Sequence, residues 1–411
     1  MRAAFRYRDR GAVQLIAVER IVGARRALPA NVRALGWISF SNDLASELAY
    51  PIVPLFLRSV LGASFAVVGV IEGIAEGVAV GLRGLAGWLS DRAGERRKRW
   101  IVAGYGLTAV SRPLLAAASA WGIVLGARLV DRAGKAARTA PRDALIRDST
   151  PPGLLGASFG YHRAMDTAGA VIGPLAAVAL LAGGASLRTI LWVAVIPGFA
   201  TLLLLRAIRE VPPSARVETA PTGPARSLPT SFWAVLSVWV VFSLGNSSDV
   251  FLILRAKNLG LGFTLTVLAY AVYNVVYSGL AWPLGALSDR ASRAIVLGGG
   301  LAVFALVYLG FAFADGGWAV WPLFAVYGAY IAATEGVAKA WVGDRAPAGL
   351  AGTAYGIFAA ASGAGLLFAS VVAGVLWSHV SARAPFLLGA ASAALALVLL
   401  VAVERSRFGE A

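Results

Sequence analysis

The sequence predicts an all-α membrane protein of twelve transmembrane helices in two pseudo-symmetric six-helix bundles. Three observations predict it. The 411 residues are 58% hydrophobic and only 14% charged, with a mean hydropathy of +0.73, where a soluble chain carries about a quarter charged residues. Apolar runs of helix-compatible length recur along the chain, with basic residues concentrated in every second gap. The two halves also repeat one another's motifs at a nearly constant offset.

The apolar runs fall near 33–57, 66–86, 100–119, 121–142, 156–182, 188–206, 231–255, 263–286, 294–313, 317–341, 352–377 and 384–403. Crossing the hydrocarbon core takes about 20 apolar residues per helix, and helices are required because lipid leaves open backbone groups unsatisfied. The chain then divides into a basic tail (1–32), an N-terminal bundle (33–206), a Pro/Ser/Thr-rich linker (207–230), a C-terminal bundle (231–404) and a short tail (405–411). The first tail carries Arg2, Arg6, Arg8, Arg10, Arg20, Arg25 and Arg26. Its stretch 13–28 suits a basic amphipathic helix lying on a membrane, and it lacks the long apolar region and cleavage site of a signal peptide. The tails, the linker and the segments 91–99, 138–147, 290–293 and Arg345 carry about 25 Lys and Arg, against about five (Arg58, Arg188, Arg255, Lys257 and Arg383) in the intervening loops. The positive-inside rule places both termini in the cytoplasm of a bacterial inner membrane.

Other classes are disfavoured by the same data. A net charge of +16 would raise nucleic-acid binding in a soluble protein, but here the charges sit between spans, so no nucleic-acid partner is expected. There are no cysteines, two histidines and two methionines, which leaves neither a disulfide framework nor a soft-metal ligand set. There is no Gly-x-x-x-x-Gly-Lys-Ser/Thr loop for ATP drive and no catalytic triad. The expectation is a chain that is not an enzyme and uses no cofactor or metal.

The internal repeat is carried by two stretches. Gly87-Trp-Leu-Ser-Asp91-Arg92-Ala aligns with Gly285-Ala-Leu-Ser-Asp289-Arg290-Ala, and Pro151, Gly153, Leu154, Gly156, Gly160 and Gly169 align with Pro347, Gly349, Leu350, Gly352, Gly356 and Gly365. Both sit at equivalent topological places, after the second span and into the fifth span of each half. The loop Gly87-x-Leu89-x-Asp91-Arg92-x-Gly94-x-Arg96-Arg97-Lys98, with its degenerate copy Gly285-x-Leu287-x-Asp289-Arg290-x-Ser292-Arg293, resembles the signature between helices two and three of the major facilitator superfamily. The resemblance implies that superfamily's fold, with helices one, four, seven and ten lining a central cavity, and a monomer that moves a small molecule by alternating access. In physical terms, the glycines allow close helix approach. Asp91 ends a span where a carboxylate meets a helix N-terminus or an Arg. Such a contact would latch the cytoplasmic face. The expected gate is Gly87, Asp91, Arg92, Gly94, Arg142, Asp289 and Arg290.

Ionisable residues inside spans are functional-site hypotheses by default. Span one places Asp43, Glu47, Tyr50 and Pro54 on one face. Span two has Glu72 and Glu76 one turn apart, with Arg83 further along, and two carboxylates so close do not both ionise cheaply. Span four carries Arg128, Asp131, Arg132, Lys135, Arg138 and Arg142 as a basic stripe. Asp131 is expected to pair with Arg128 or Lys135, and Arg138 and Arg142 to snorkel to the cytoplasm. Span five has Arg163 and Asp166, then Gly169-x-x-x-Gly173-Pro174 for helix packing. This stretch is similar to the antiporter signature of the superfamily's drug exporters, from which its Leu175-Ala176-Ala177 tail departs. Span seven has Asn246 and Asp249, span eight Tyr270, Tyr273, Asn274 and Tyr277, and span ten Glu335 and Lys339, spaced for an intrahelical pair.

The reading that follows is a proton-coupled secondary transporter. Glu47, Asp43, Glu76, Glu72, Asp166, Asp249 and Glu335 are the expected proton-coupling residues. Tyr50, Arg128, Asp131, Arg132, Asn246, Tyr273, Asn274, Tyr277 and Lys339 are the expected cavity residues. The resemblance to bacterial drug/proton antiporters implies efflux of small organic compounds. The basic fourth span points instead to uptake or exchange of an organic anion. A non-transporting receptor or scaffold is the alternative of another class.

Overall fold

The computed structural model describes residues 28–63, 85–92, 96–211, 228–347 and 349–408, and the single positions 67, 71, 74 and 82. Before the linker lie α1 (Ala30–Ala49), α2 (Ile52–Ser59), α3 (Arg97–Ala116), α4 (Trp121–Ser149), α5 (Leu155–Ala182), α6 (Leu187–Val193) and α7 (Val195–Leu204). After it come α8 (Thr230–Ser243), α9 (Val250–Asn258), α10 (Phe263–Arg290), α11 (Arg293–Phe313), α12 (Val320–Gly343), α13 (Ala351–His379) and α14 (Ala384–Phe408). Residues 85–92 are also helical. The described residues contain no strand.

Three predicted spans are interrupted helices, each with a local cause. Span one breaks into α1 and α2 at Tyr50 and Pro51, where proline has no N–H to continue the ladder. Span six divides into α6 and α7 at Ala194, three residues before Pro197. Span seven breaks between α8 and α9 over Leu244–Asp249. Its Gly245-Asn246-Ser247-Ser248 sequence combines a flexible residue with side chains that compete for backbone hydrogen bonds.

Polarity is inverted relative to a soluble protein. Ile196, Ile295, Leu306, Trp318, Val398 and Val380 are exposed, while Arg97, Arg112, Arg138, Arg142, Asp143 and Lys339 are buried. An apolar exterior around a charged interior suits lipid on the outside. Among the described residues, five helical segments are long and apolar enough to cross a membrane by length and composition alone, Leu155–Ala182, Leu187–Ala207, Arg293–Phe313, Ala351–His379 and Ala384–Arg405. Others, such as α4, carry the embedded charges. The chain is a multi-pass membrane protein.

The two halves meet through glycines. Helix α10 packs along α5, and α13 packs on α4. A Cβ added at Gly285 would strike the Gly156 carbonyl oxygen and lie 3.0 Å from the Gly160 Cα. The equivalent Cβ at Gly87 would strike the Gly352 carbonyl oxygen and lie 3.0 Å from the Gly356 Cα. The same close crossing therefore occurs twice between the halves, once in each copy of the repeat. The loops leading into α5 and α13 also match, with Gly153 and Gly349 both at φ 82°, a left-handed conformation that strains any residue with a Cβ. Within the first half, Gly169 and Gly173 bring α5 against α1, at Phe40 and Leu48 respectively; Pro174 follows inside α5.

Gly160→Val should lower the unfolding temperature of the detergent-solubilised protein, because forced overpacking costs about 1–3 kcal/mol or more. Gly106→Ala, whose added Cβ meets open space, should leave it unchanged or raise it, by up to about 1 kcal/mol in helix propensity. Equal melting of Gly160→Val and wild type would contradict the close crossing.

Candidate functional site

Two carboxylates close one end of the molecule. Asp91 accepts from the backbone N–H groups of Gly352 (3.1 Å) and Thr353 (2.5 Å) and from the Thr353 hydroxyl (2.7 Å). These are first-turn donors of α13, which have no intrahelical partner and carry the positive end of the helix dipole. Asp289 does the same to α5, accepting from the N–H groups of Gly156 and Ala157, both at 2.7 Å. Each is backed by an arginine: Arg97 Nη1 lies 3.0 Å from Asp91 and Arg293 Nη1 3.0 Å from Asp289. Each arginine reaches a second carboxylate at the end of a neighbouring helix, Arg97 to Asp148 at 2.8 Å and Arg293 to Asp344. Arg147 adds hydrogen bonds across the halves to the carbonyls of Gly343 (3.1 Å) and Ala346 (2.6 Å). Arg92 and Arg290 are exposed, and Arg92 stacks on Trp88 at 4.0 Å. Gly94 lies outside the described residues.

Further in, a cavity of about 300 Å³ separates the halves. Its wall is Ser39, Asn42 and Asp43 of α1; Lys135, Arg138, Thr139, Arg142 and Asp143 of α4; Arg163 and Asp166 of α5; Trp239 of α8; Glu335 and Lys339 of α12; and Tyr355, Phe358, Ala359 and Ser362 of α13. Two ion pairs span it. Arg163 lies 3.0 Å from Glu335, and Lys339 Nζ lies 2.5 Å from Asp143. Each has further partners in its own half. Arg163 reaches Asp166 at 3.0 Å, Ser39 donates to Asp166, and Tyr277 donates to Glu335. Arg142 holds Asp143 at 2.8 Å. Arg138 donates to Thr108 at 2.6 Å and lies over the Tyr105 ring at 4.4 Å. Asn42 donates to Asp43 at 2.9 Å. Opposite the basic α4 wall is an aromatic one: the Trp239 indole donates to Ser362 at 2.8 Å and packs on Phe358 at 5.3 Å.

Several expectations are corrected here. Glu335 and Lys339 do not pair with one another; each takes an ion-pair partner from the first half, because their shared face points across the cavity. Arg138 and Arg142 do not snorkel but are buried, and Arg142 lies in the central cavity rather than at the gate. Asp131 pairs with Arg112 and Arg132, both at 3.7 Å. Arg128, Asp131, Arg132 and Tyr50 are outside the central cavity wall, and Tyr50 is exposed, with Arg128 5.8 Å above its ring. Glu47 is half-buried on the same side, where Lys135, Arg112 and Arg132 act on it electrostatically.

Asp249 occupies the α8–α9 break and accepts from the hydroxyls of Tyr327 (2.7 Å) and Tyr273 (3.1 Å). Asn246 is half-buried in the same break. Asn274 donates to its own helix, at Tyr270 O. Glu72, Glu76 and Arg83 lie outside the described residues.

Sequence reading missed five acidic or basic participants: Arg112, Asp143, Arg147, Asp148 and Asp344. The last two had a signal, since they stand at the same 196-residue offset as Arg97 and Arg293. Asp143 lay in the Arg138–Arg147 segment taken as a cytoplasmic end. Arg112 lay alone in an apolar run.

The chain matches the Major Facilitator Superfamily over residues 35–365 and 251–409. The chain belongs to the Major Facilitator Superfamily. Among curated relatives, it is 36% identical over 385 residues to an uncharacterized MFS-type transporter of Methanocaldococcus jannaschii, covering 92% of this chain and 95% of that protein. An uncharacterized protein of Mycobacterium bovis is 32% identical over 412 residues, covering 95% and 98%. Solved superfamily structures share the fold at low identity. The Escherichia coli fucose:proton symporter FucP aligns with a TM-score of 0.75 at 15% identity over 90% of this chain and 98% of that one. The human organic anion transporter MFSD10 aligns with a TM-score of 0.74 at 15% identity, over 90% and 99%. The superfamily membership makes this chain a transporter rather than an enzyme.

The absence of native cysteines makes Ala359→Cys, in the cavity wall, a clean reporter. Adding Asp91→Ala should speed its alkylation by a membrane-impermeant maleimide applied from the Asp91 end by about tenfold or more, since each charge-assisted hydrogen bond lost is worth about 1.5–3 kcal/mol and each 1.4 kcal/mol is tenfold. An unchanged rate would mean that Asp91 does not hold this end shut.

Proposed function

We propose that this protein is a proton-coupled secondary transporter for a small organic anion, working as a monomer in a bacterial inner membrane with both termini cytoplasmic. The halves 33–206 and 231–404 rock about the central cavity, with 207–230 as their tether. The closed Asp91 end is then the cytoplasmic one. The observation that carries this reading is the pair of ion bridges across the cavity, Arg163–Glu335 and Lys339–Asp143.

Five Lys and Arg side chains face the cavity with four Asp and Glu. A proton placed on Glu335 or Asp143 neutralises one bridge. That removes a contact between the halves and leaves a cation in need of an anion. A substrate carboxylate supplies it, while the Trp239 and Phe358 wall accommodates an apolar body. Proton and anion therefore load together, and the doubly loaded cavity carries no more net charge than the empty one. Efflux of neutral or cationic compounds has less support: Gly169 and Gly173, whose pattern suggested it, are occupied in packing α5 on α1.

Proteoliposomes under opposed pH gradients distinguish the two. A labelled panel of aliphatic and aromatic carboxylates should accumulate on the alkaline side, and tetraphenylphosphonium should not move. Glu335→Gln should abolish pH-driven accumulation while leaving anion counterflow, and Lys339→Gln should lose both. Asp249→Asn and Glu47→Gln test the remaining embedded acids in the same assay. Proton-driven movement of the lipophilic cation without carboxylate flux would refute the anion reading.

A further inference from the structure

The segment that leaves α7 is fastened to the first half before it becomes the linker. Asn31 of α1 accepts the Arg209 N–H at 2.9 Å, and its amide donates to the Arg209 carbonyl and to Ser149 of α4, both at 2.9 Å. Lys98 Nζ donates to the Ile208 carbonyl at 2.7 Å. Glu210 then lays its carboxylate on the first turn of α3. Its Oε1 accepts the Arg97 N–H at 3.0 Å and its Oε2 the Lys98 N–H at 3.1 Å. Those N–H groups have no partner inside α3 and carry the positive end of its dipole. Arg96, at the cap position of α3, makes no side-chain cap bond. The carboxylate comes instead from 113 residues further along the chain.

Arg97 joins this fastening to the closed end. Its backbone N–H is held by Glu210, while its guanidinium lies 3.0 Å from Asp91 and 2.8 Å from Asp148. The Arg97 side chain is buried and Glu210 is exposed. A guanidinium carried on the first residue of a helix is only as well aimed as that turn, and helix ends fray. Fixing the turn therefore fixes the guanidinium behind Asp91. The second half builds its matching Asp289–Arg293–Asp344 set without a distant acceptor: Ser292, next to Arg293, accepts the Ala294 N–H at 3.2 Å. Such a set does not in itself require a cap from the linker, yet the Asp91 copy has one.

We propose that Glu210 is a positioning residue of the Asp91 gate: by holding the first turn of α3 it keeps Arg97 on Asp91, so that the attachment of the linker sets how readily this end opens. This role rests on the Asp91 end being a gate, and the two are tested separately.

The Ala359→Cys protein, otherwise free of cysteine, is alkylated by the membrane-impermeant maleimide from the Asp91 end. Glu210→Ala is compared with Glu210 in two backgrounds, Asp91 and Asp91→Ala. With Asp91 present, Glu210→Ala should speed alkylation about fivefold, the usual worth of a helix cap converted to a rate. With Asp91→Ala it should change nothing further. That dependence marks a residue acting through Arg97 and Asp91, whereas a merely structural role would persist in both backgrounds. Equal speeding in both therefore overturns the proposal, as does an unchanged rate in Glu210→Ala where Asp91→Ala is fast. If neither substitution alters the rate, the gate reading falls and the role of Glu210 with it. If Glu210→Ala does not fold, Glu210→Gln, which removes only the charge, is read in the same two backgrounds by the same criteria.

Discussion

A charge inside a bilayer needs its opposite inside the protein, and in this molecule the opposite often belongs to the other half. Arg163 and Asp143 come from helices before the linker, and Glu335 and Lys339 from a helix after it. The need to compensate buried charge thus becomes a force between bundles. Under the proposed function it is conditional, because a proton or an anionic solute changes which partner is required. A purely apolar interface would bind the halves without responding to either. On that proposal, the mixed charges around the cavity make their separation depend on what the cavity holds.

The Asp91 end uses the same physics on a smaller scale. A carboxylate from one half meets the exposed N–H groups of a helix in the other, with an arginine behind it, and the arrangement appears twice. Duplication explains why glycine stands at each crossing: carboxylate and helix N-terminus meet only if the backbones approach closely, and Gly87 and Gly285 permit that. Packing and electrostatics are therefore coupled, since a bulkier residue at the crossing would pull the carboxylate from its donors.

Beyond that end the halves diverge. The first carries its polarity as charge, in Arg112, Arg128, Asp131 and Arg132. The second carries it mainly as tyrosines, with Asp249 held by Tyr273 and Tyr327 and surrounded by Tyr270, Tyr308 and Phe324. The duplicated scaffold thus holds unlike contents.

Composition and the spacing of apolar runs determined by themselves that this is a helical membrane protein, and the shared offset of the Asp91 and Asp289 motifs determined that it is duplicated. Those features are one-dimensional, set by bilayer thickness, helical rise and gene-level repetition. Which embedded charges meet was decided only by tertiary structure. Helical periodicity reports neighbours three and four residues away, so it offered Glu335 to Lys339 and Asp131 to Lys135. The partners actually taken lie on other helices; Asp143 is 196 residues from Lys339. Arg138 and Arg142 were misplaced for a related reason: a basic helix end looks alike in sequence whether it reaches water or turns into a cavity. Helix packing makes that choice, because it alone determines which faces enclose the passage.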